Sequence, residues 1–140
     1  MRLLLDTNIF VFMVNEPESL THDVMSILED CENLVYVSTI SIVELITSYR
    51  TKGLFNKKWR TEREMVEYVY NSEKWSVDPL DYGTLVTLAD LEINTAQHHK
   101  DPNDHLIIAQ AISHRMTLVS SDTKFAFYRD QGLQLIENRW

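Results

Sequence analysis

The sequence predicts an α/β fold, a three-layer sandwich in which helices cover a central, mostly parallel sheet of four to five strands. Three observations carry this. The chain opens on Leu3-Leu4-Leu5, an apolar run without alternation that suits a strand covered on both faces. Short runs rich in β-branched and aromatic residues recur at Leu34 to Val37, Trp75 to Val77, Thr117 to Val119 and Leu133 to Ile136. Between them lie stretches with apolar residues at helical spacing, and alternating strands and helices imply a parallel sheet. At 140 residues, 44% of them hydrophobic, the chain suits one domain, residues 1–140, around one core.

The elements follow in order. After Leu5, the polar triplet Asp6-Thr7-Asn8 leads into apolar Ile9 to Val14, a strand turning directly into a helix with Asp6 or Thr7 as its cap. Glu16-Pro17-Glu18-Ser19 breaks that helix, because proline stops continuation. Leu20 to Cys31 carries Val24, Ile27 and Leu28 on one helical face. The second strand ends at Ser38-Thr39. A helix then runs from Ile40 to Gly53, and Glu44 sits inside its apolar stretch. Asn56 to Trp59 reads as a turn, Thr61 to Ser72 as an amphipathic helix and Asp81 to Leu91 as another helix despite Gly83. Asn94 to Lys100, with His98 and His99, reads as a polar loop. Asp101-Pro102-Asn103-Asp104 opens an apolar helix. A short helix around Phe125 to Tyr128 separates the last two strands. There is no internal repeat, linker or low-complexity segment.

Composition excludes several chemistries. The three glycines, Gly53, Gly83 and Gly132, form no glycine-rich phosphate cradle. Cys31 is the single cysteine, which rules out an internal disulfide or a cysteine metal site and fits a reducing cytoplasm. The opening residues run straight into a strand, so no signal peptide is expected. No apolar run approaches the ~18–20 residues that span a membrane. The net charge of −8 opposes nucleic-acid binding overall, yet six of the 13 basic residues, Arg50, Lys52, Lys57, Lys58, Arg60 and Arg63, fall in one short window opposed only by Glu62. That window is either a phosphate- or partner-facing patch or a solvated helix end and loop.

Four acids share a position. Asp6 ends the first strand, Glu44 follows the second, Asp104 begins the helix before the fourth and Asp122 follows the fourth. In a parallel sheet, loops at the carboxyl ends of strands share one crevice. Converging carboxylates need protons or a cation, and oxygen ligands without cysteine suit Mg²⁺ or Mn²⁺. Each acid also has a plainer role: Asp6, Asp101 with Asp104, and Asp122 as helix caps, and Glu44 as the partner of an arginine. His98 and His99, near Asp101, are read as solvated surface rather than metal ligands, and His105 as facing solvent rather than donating to substrate.

Leu3-Leu4-Leu5-Asp6-Thr7-Asn8, Ser38-x-x-Ser41-x-x-Glu44, Asp101-Pro102-x-Asp104-x-Leu106-x-Ile108-Ala109-Gln110-Ala111, and Ser120-x-Asp122 with Phe125 together resemble the PIN domain. In particular they resemble VapC-type toxins of toxin–antitoxin pairs, in the family's order and over nearly the whole chain. The resemblance implies a PIN-like fold and a Mg²⁺- or Mn²⁺-dependent endoribonuclease, a homodimer, silenced by a partner antitoxin. It carries the acidic site to Asp6, Glu44, Asp104 and Asp122, with Asp101 as a further ligand. Asn103 and His105 depart from it, standing where an aromatic and an arginine are common, which bears on substrate preference. A metal there would activate water for attack on the scissile phosphorus, with Thr7, Asn8 and Ser121 orienting waters or carboxylates. Two rival readings are a metal-dependent phosphatase, against which the missing Asp-x-Asp pair counts, and a non-catalytic PIN-like module that binds RNA or protein. Phe10, Phe12, Leu54 and Phe55 are expected to exceed what one small core covers and so to mark an interface.

Overall fold

The computed structural model describes residues 1–140. Strands β1 (Arg2–Leu5), β2 (Leu34–Ser38), β3 (Ser76–Asp78), β4 (Thr117–Ser120) and β5 (Gln134–Glu137) form one sheet in the order β3-β2-β1-β4-β5. Every pairing is parallel. β1 is central, with Leu5 opposite Val37 on one side and Val119 on the other. The strict alternation of side chains along a strand divides the core in two. Leu3, Leu5, Val35, Val37 and Val119 join one apolar cluster, and Leu4, Leu118 and Leu135 join the other.

Six helices cover the two faces: α1 (Thr7–Asn15), α2 (His22–Glu29), α3 (Thr39–Lys52), α4 (Glu62–Asn71), α5 (Tyr82–Asp90) and α6 (Pro102–His114). Side chains of α1 to α4 enter the first cluster, whereas α6 and the 3-10 segment Phe125–Gln131 enter the second. Each helix starts on a polar cap: Asp6, Thr21, Ser38, Thr61, Asp81 and Asp101 accept from backbone N–H groups of the first turn, the donors a helix leaves unpaired. α3 stops at Gly53, whose φ of 70° is left-handed and is the conformation glycine supplies at a helix end.

His114, in the last turn of α6, ties β3 to the start of α5. Its Nδ1 lies 2.6 Å from Asp78 Oδ2 and its Nε2 2.7 Å from Asp81 Oδ2. Burial pushes the ring's pKa down, but the two carboxylates outweigh it and the net shift is upward.

Phe10 and Phe55 do not reach solvent; both are buried, and Phe12 and Leu54 pack against the same cluster. One core covers all four because α1 and the loop after α3 fold onto the same sheet face. The exposed large apolar residues lie elsewhere, notably Tyr82 (82%), Leu85 (54%) and Val86 (42%) on α5. No helix is long and apolar enough to cross a membrane.

Candidate active site

Asp6, Thr7, Asn8, Glu44, Lys52, Asp101, Asp104 and Asp122 line one cleft of about 570 Å³ at the carboxyl edge of the sheet, with Val11, Ser48 and Leu54 completing its wall. A larger cleft of about 670 Å³ lies at the amino ends of β2 and β3, lined by Met13, Met25, Leu28 and Trp75 among others. The smaller cleft lies at the carboxyl ends of the strands, where parallel sheets bind ligands, and gathers five carboxylates, so it is the candidate for chemistry.

Asp6 is fixed from three directions. Its backbone N–H donates to Val119 of β4 (3.0 Å). Its Oδ1 accepts from the Thr7 N–H (2.9 Å) and its Oδ2 from the Ser120 hydroxyl (2.8 Å). Ser120 also accepts from the Asp122 N–H (3.0 Å), so one buried hydroxyl sets two acids at once. Thr7 donates to Glu44 Oε1 (2.6 Å) and lies 2.9 Å from Ser41 Oγ. Ser41 and Glu44 are one turn apart on α3 and therefore share a face. Glu44 is held by this hydroxyl, not by an arginine.

Asp101 caps α6, accepting from Asn103 N–H (2.9 Å). Asp104, at the third position of the helix, does not reach back to close a capping box. Its Oδ2 meets His99 Nε2 at 3.1 Å. Asp122 Oδ1 accepts from Lys124 N–H (2.9 Å), so this acid does cap the turn before Phe125.

The electrostatics follow from burial. Asp6 is only 7% exposed. Desolvation, aided by Asp104 and Glu44, raises its pKa to about 7 against the pull of Ser120 and the Thr7 N–H. Asp104 also rises to about 7, first through desolvation and then through Asp101, Asp122 and Glu44. Glu44 is raised by desolvation and by Asp101. Each carboxyl thus carries a cost of ionisation that a cation would remove. Oxygen donors of this kind fit a hard divalent ion.

Three expectations change. Ser121 does not face the acids: its Oγ accepts from Asn138 Nδ2 (2.9 Å), because alternation along the end of β4 turns Ser120 inward instead. His99 is buried, not solvated (2% exposed), with Nδ1 2.9 Å from the Tyr128 hydroxyl. His105 is half-buried, its Nε2 2.9 Å from the His99 carbonyl. His98 stays exposed. Asn8 is exposed at the cleft's lip.

The basic window divides. Lys52 lines the acidic cleft itself. Lys57 and Lys58 line an adjoining groove with Asn15, Gly53 and Asn56, and Leu54 belongs to both. Arg50 is paired with Glu62 (3.0 Å). Arg60 and Arg63 are exposed.

The family model described as the PIN domain matches residues 3–130. The chain belongs to the PIN domain family. No curated protein sequence matches it. Among solved structures, this PIN domain resembles a chain of VapBC2 from Rickettsia felis, crystallised with a DNA fragment from its promoter, at 22% identity, TM-score 0.69 and 98% coverage of each chain. It resembles VapBC-1 from nontypeable Haemophilus influenzae at 21% identity and TM-score 0.69, again over 98% of each chain. VapBC-5 from Mycobacterium tuberculosis, of the VapBC family of toxin–antitoxin systems, follows at 20% identity and TM-score 0.59, covering 97% of this chain and 98% of that one. These likenesses establish the fold. Of the residues around the acids, Ser41 and Ser120 stood within the sequence motifs and could have been found from spacing. His99 and Tyr128 carried no such signal.

Proposed function

We propose that this PIN domain is a Mg²⁺- or Mn²⁺-dependent endoribonuclease and the toxin of a toxin–antitoxin pair. The observation that carries the reading is the convergence of Asp6, Glu44, Asp101, Asp104 and Asp122 on one cleft, two of them with pKa values near 7. Asp6, Asp104, Glu44 and Asp122 would hold the ion, with Asp101 at the rim. When bound, the ion activates a water and offsets charge on the phosphate. The chain's own part is positioning. Ser120 and the Thr7 N–H hold both oxygens of Asp6, Thr7 holds Glu44, and the Lys124 N–H holds Asp122. Lys52 on the cleft wall, with Lys57 and Lys58 beyond it, gives a polyanion a path into an otherwise repulsive site.

The partner reading rests on the same charges. A cognate antitoxin that inserts a basic side chain among the acids would neutralise them as a cation does, and the toxin–antitoxin complexes of similar fold support such a partner. A homodimer is supported by the exposed apolar side chains of α5.

The test is cleavage of defined RNAs with Mg²⁺, Mn²⁺ or EDTA. Asp6→Asn and Asp104→Asn are expected to lower the rate by orders of magnitude while the fold, read by circular dichroism, is kept. Activity that survives EDTA or either substitution removes the assignment.

A further inference from the structure

We propose that His99 is a positioning residue for Asp104, held by Tyr128 so that its Nε2–H points at the Asp104 carboxylate and aims it into the cleft. The importance of that aim rests on the reading of the cleft as a metal site; the hydrogen-bond relay does not.

The relay begins at the backbone. The Asn94 N–H donates to the Tyr128 hydroxyl oxygen at 3.0 Å. The Tyr128 hydrogen therefore needs an acceptor, and His99 Nδ1 lies 2.9 Å away. A neutral imidazole has one N–H and one acceptor nitrogen. If Nδ1 accepts from Tyr128, the hydrogen resides on Nε2, which faces Asp104 Oδ2 at 3.1 Å. The opposite tautomer would set an N–H against the Tyr128 oxygen, strand the phenol's hydrogen and, once Asp104 is ionised, turn a bare nitrogen towards its carboxylate. In a site sealed from water each of those errors is costly.

The rest of His99 is held as firmly. Its N–H donates to the Asn94 carbonyl (3.1 Å), and its own carbonyl lies 2.9 Å from His105 Nε2. Its ring packs against Phe125 and His105, with centroids 5.4 and 4.8 Å away. His99 is thus clamped by the residue that caps the preceding turn and by the residue that follows Asp104.

A different role is conceivable for the same atoms. One ligand atom each from His99, Asp104 and Asp122 lie within 4.8 Å of one another, the spacing of a mixed nitrogen–oxygen metal site. Yet the His99 side chain is 1% exposed and does not line the cleft, and both ring nitrogens already have partners. Ligating carboxylates are commonly fixed by outer hydrogen bonds of this kind, whose loss weakens metal binding about 10- to 100-fold.

The tautomer is read directly by nitrogen-15 NMR of the histidine rings in the full-length protein without metal, with the His99 signals assigned from His99→Gln. The neutral Nε2–H form is expected, together with a shift of the Nδ1 resonance in Tyr128→Phe. An Nδ1–H form, an imidazolium, or an Nε2 resonance that moves on adding Zn²⁺ as a directly bonded ligand would overturn the proposal. Mn²⁺ affinity gives the second arm. Tyr128→Phe and His99→Leu should weaken it about 10- to 100-fold, whereas His99→Gln, which keeps an N–H at the same reach, should stay within a few-fold of wild type. Unchanged affinity in Tyr128→Phe and His99→Leu would overturn the aiming role. If the wild type binds no Mn²⁺ at all, the metal reading of the cleft fails, and the tautomer alone decides the relay.

Discussion

Asp6 and Asp104 couple stability to pH in a definite direction. Their folded-state pKa values of about 7 lie above the ordinary 3.8, so between those limits the folded chain binds more protons than the unfolded one. Their contribution to stability is full below the unfolded value and is lost as pH rises through the folded value. The metal-free protein should therefore melt higher at pH 5 than at pH 7.5. Mn²⁺ binding the folded site alone adds about 2.7 kcal/mol at a hundredfold excess over its dissociation constant, which should narrow that gap. Asp104→Asn should melt no lower than wild type in EDTA and respond less to Mn²⁺; equal metal shifts would mean that Asp104 takes no part in the site. Ser120 is a sharper probe of geometry. Ser120→Ala leaves Asp6 Oδ2 and the Asp122 N–H without their shared buried partner, an expected loss of about 1–3 kcal/mol measured by denaturant unfolding. The acids were legible in the sequence because each stands at a strand end or helix start. Which serine faces them was not, since Ser120 and Ser121 differ only in the face that β4 turns inward. His99 was hidden for a related reason: its neighbours His98 and Lys100 are polar, and its burial comes from Phe125 and Tyr128, far along the chain.

At the scale of elements, the helices were legible from caps and periodicity. Asp6 does cap α1 and Asp101 does cap α6. The segment from Asn94 to Lys100 was not, because local polarity says nothing of the buried Asn94, whose N–H meets Tyr128 and whose Nδ2 reaches the Lys124 carbonyl. The loop after α3 is where electrostatics should report function. Lys57 and Lys58 face a groove that adjoins the acidic cleft, while Arg50 is neutralised by Glu62. Replacing Lys57, Lys58 and Arg60 by glutamine should weaken RNA binding and flatten its dependence on salt, by roughly one unit of slope for each phosphate the loop ceases to neutralise. An unchanged slope in a filter-binding titration would assign the loop to solvent.

For the whole molecule, the sheet order could not be read from the strands themselves, since periodicity fixes which residues are apolar and not which strand lies beside which. The same limit misjudged which apolar side chains reach the surface. Phe10 and Phe55 look surplus in a linear sequence, but α1 and the loop after α3 converge on one sheet face and bury both. Tyr82, Leu85 and Val86, on a helix packed against α6, are among the large apolar side chains left outside and fall on one helix. Sedimentation should show a dimer at micromolar concentration, and Leu85→Glu with Val86→Glu should give a folded monomer with an undiminished melting temperature of the isolated subunit. A monomeric wild type would remove the dimer.

The central place of β1 has a consequence for synthesis. Asp6 is made first, but the groups that hold it, Val119 and Ser120, are made more than a hundred residues later. Pairing so distant in sequence is slow to form, and chains emerge from the ribosome amino end first. A nascent chain ending before Thr117 has β1 without one of its two flanking strands and lacks Asp122 altogether. The acidic cleft is therefore completed only after β4 and Asp122 have been made, so on the proposed reading a nascent chain carries no working site for most of its synthesis.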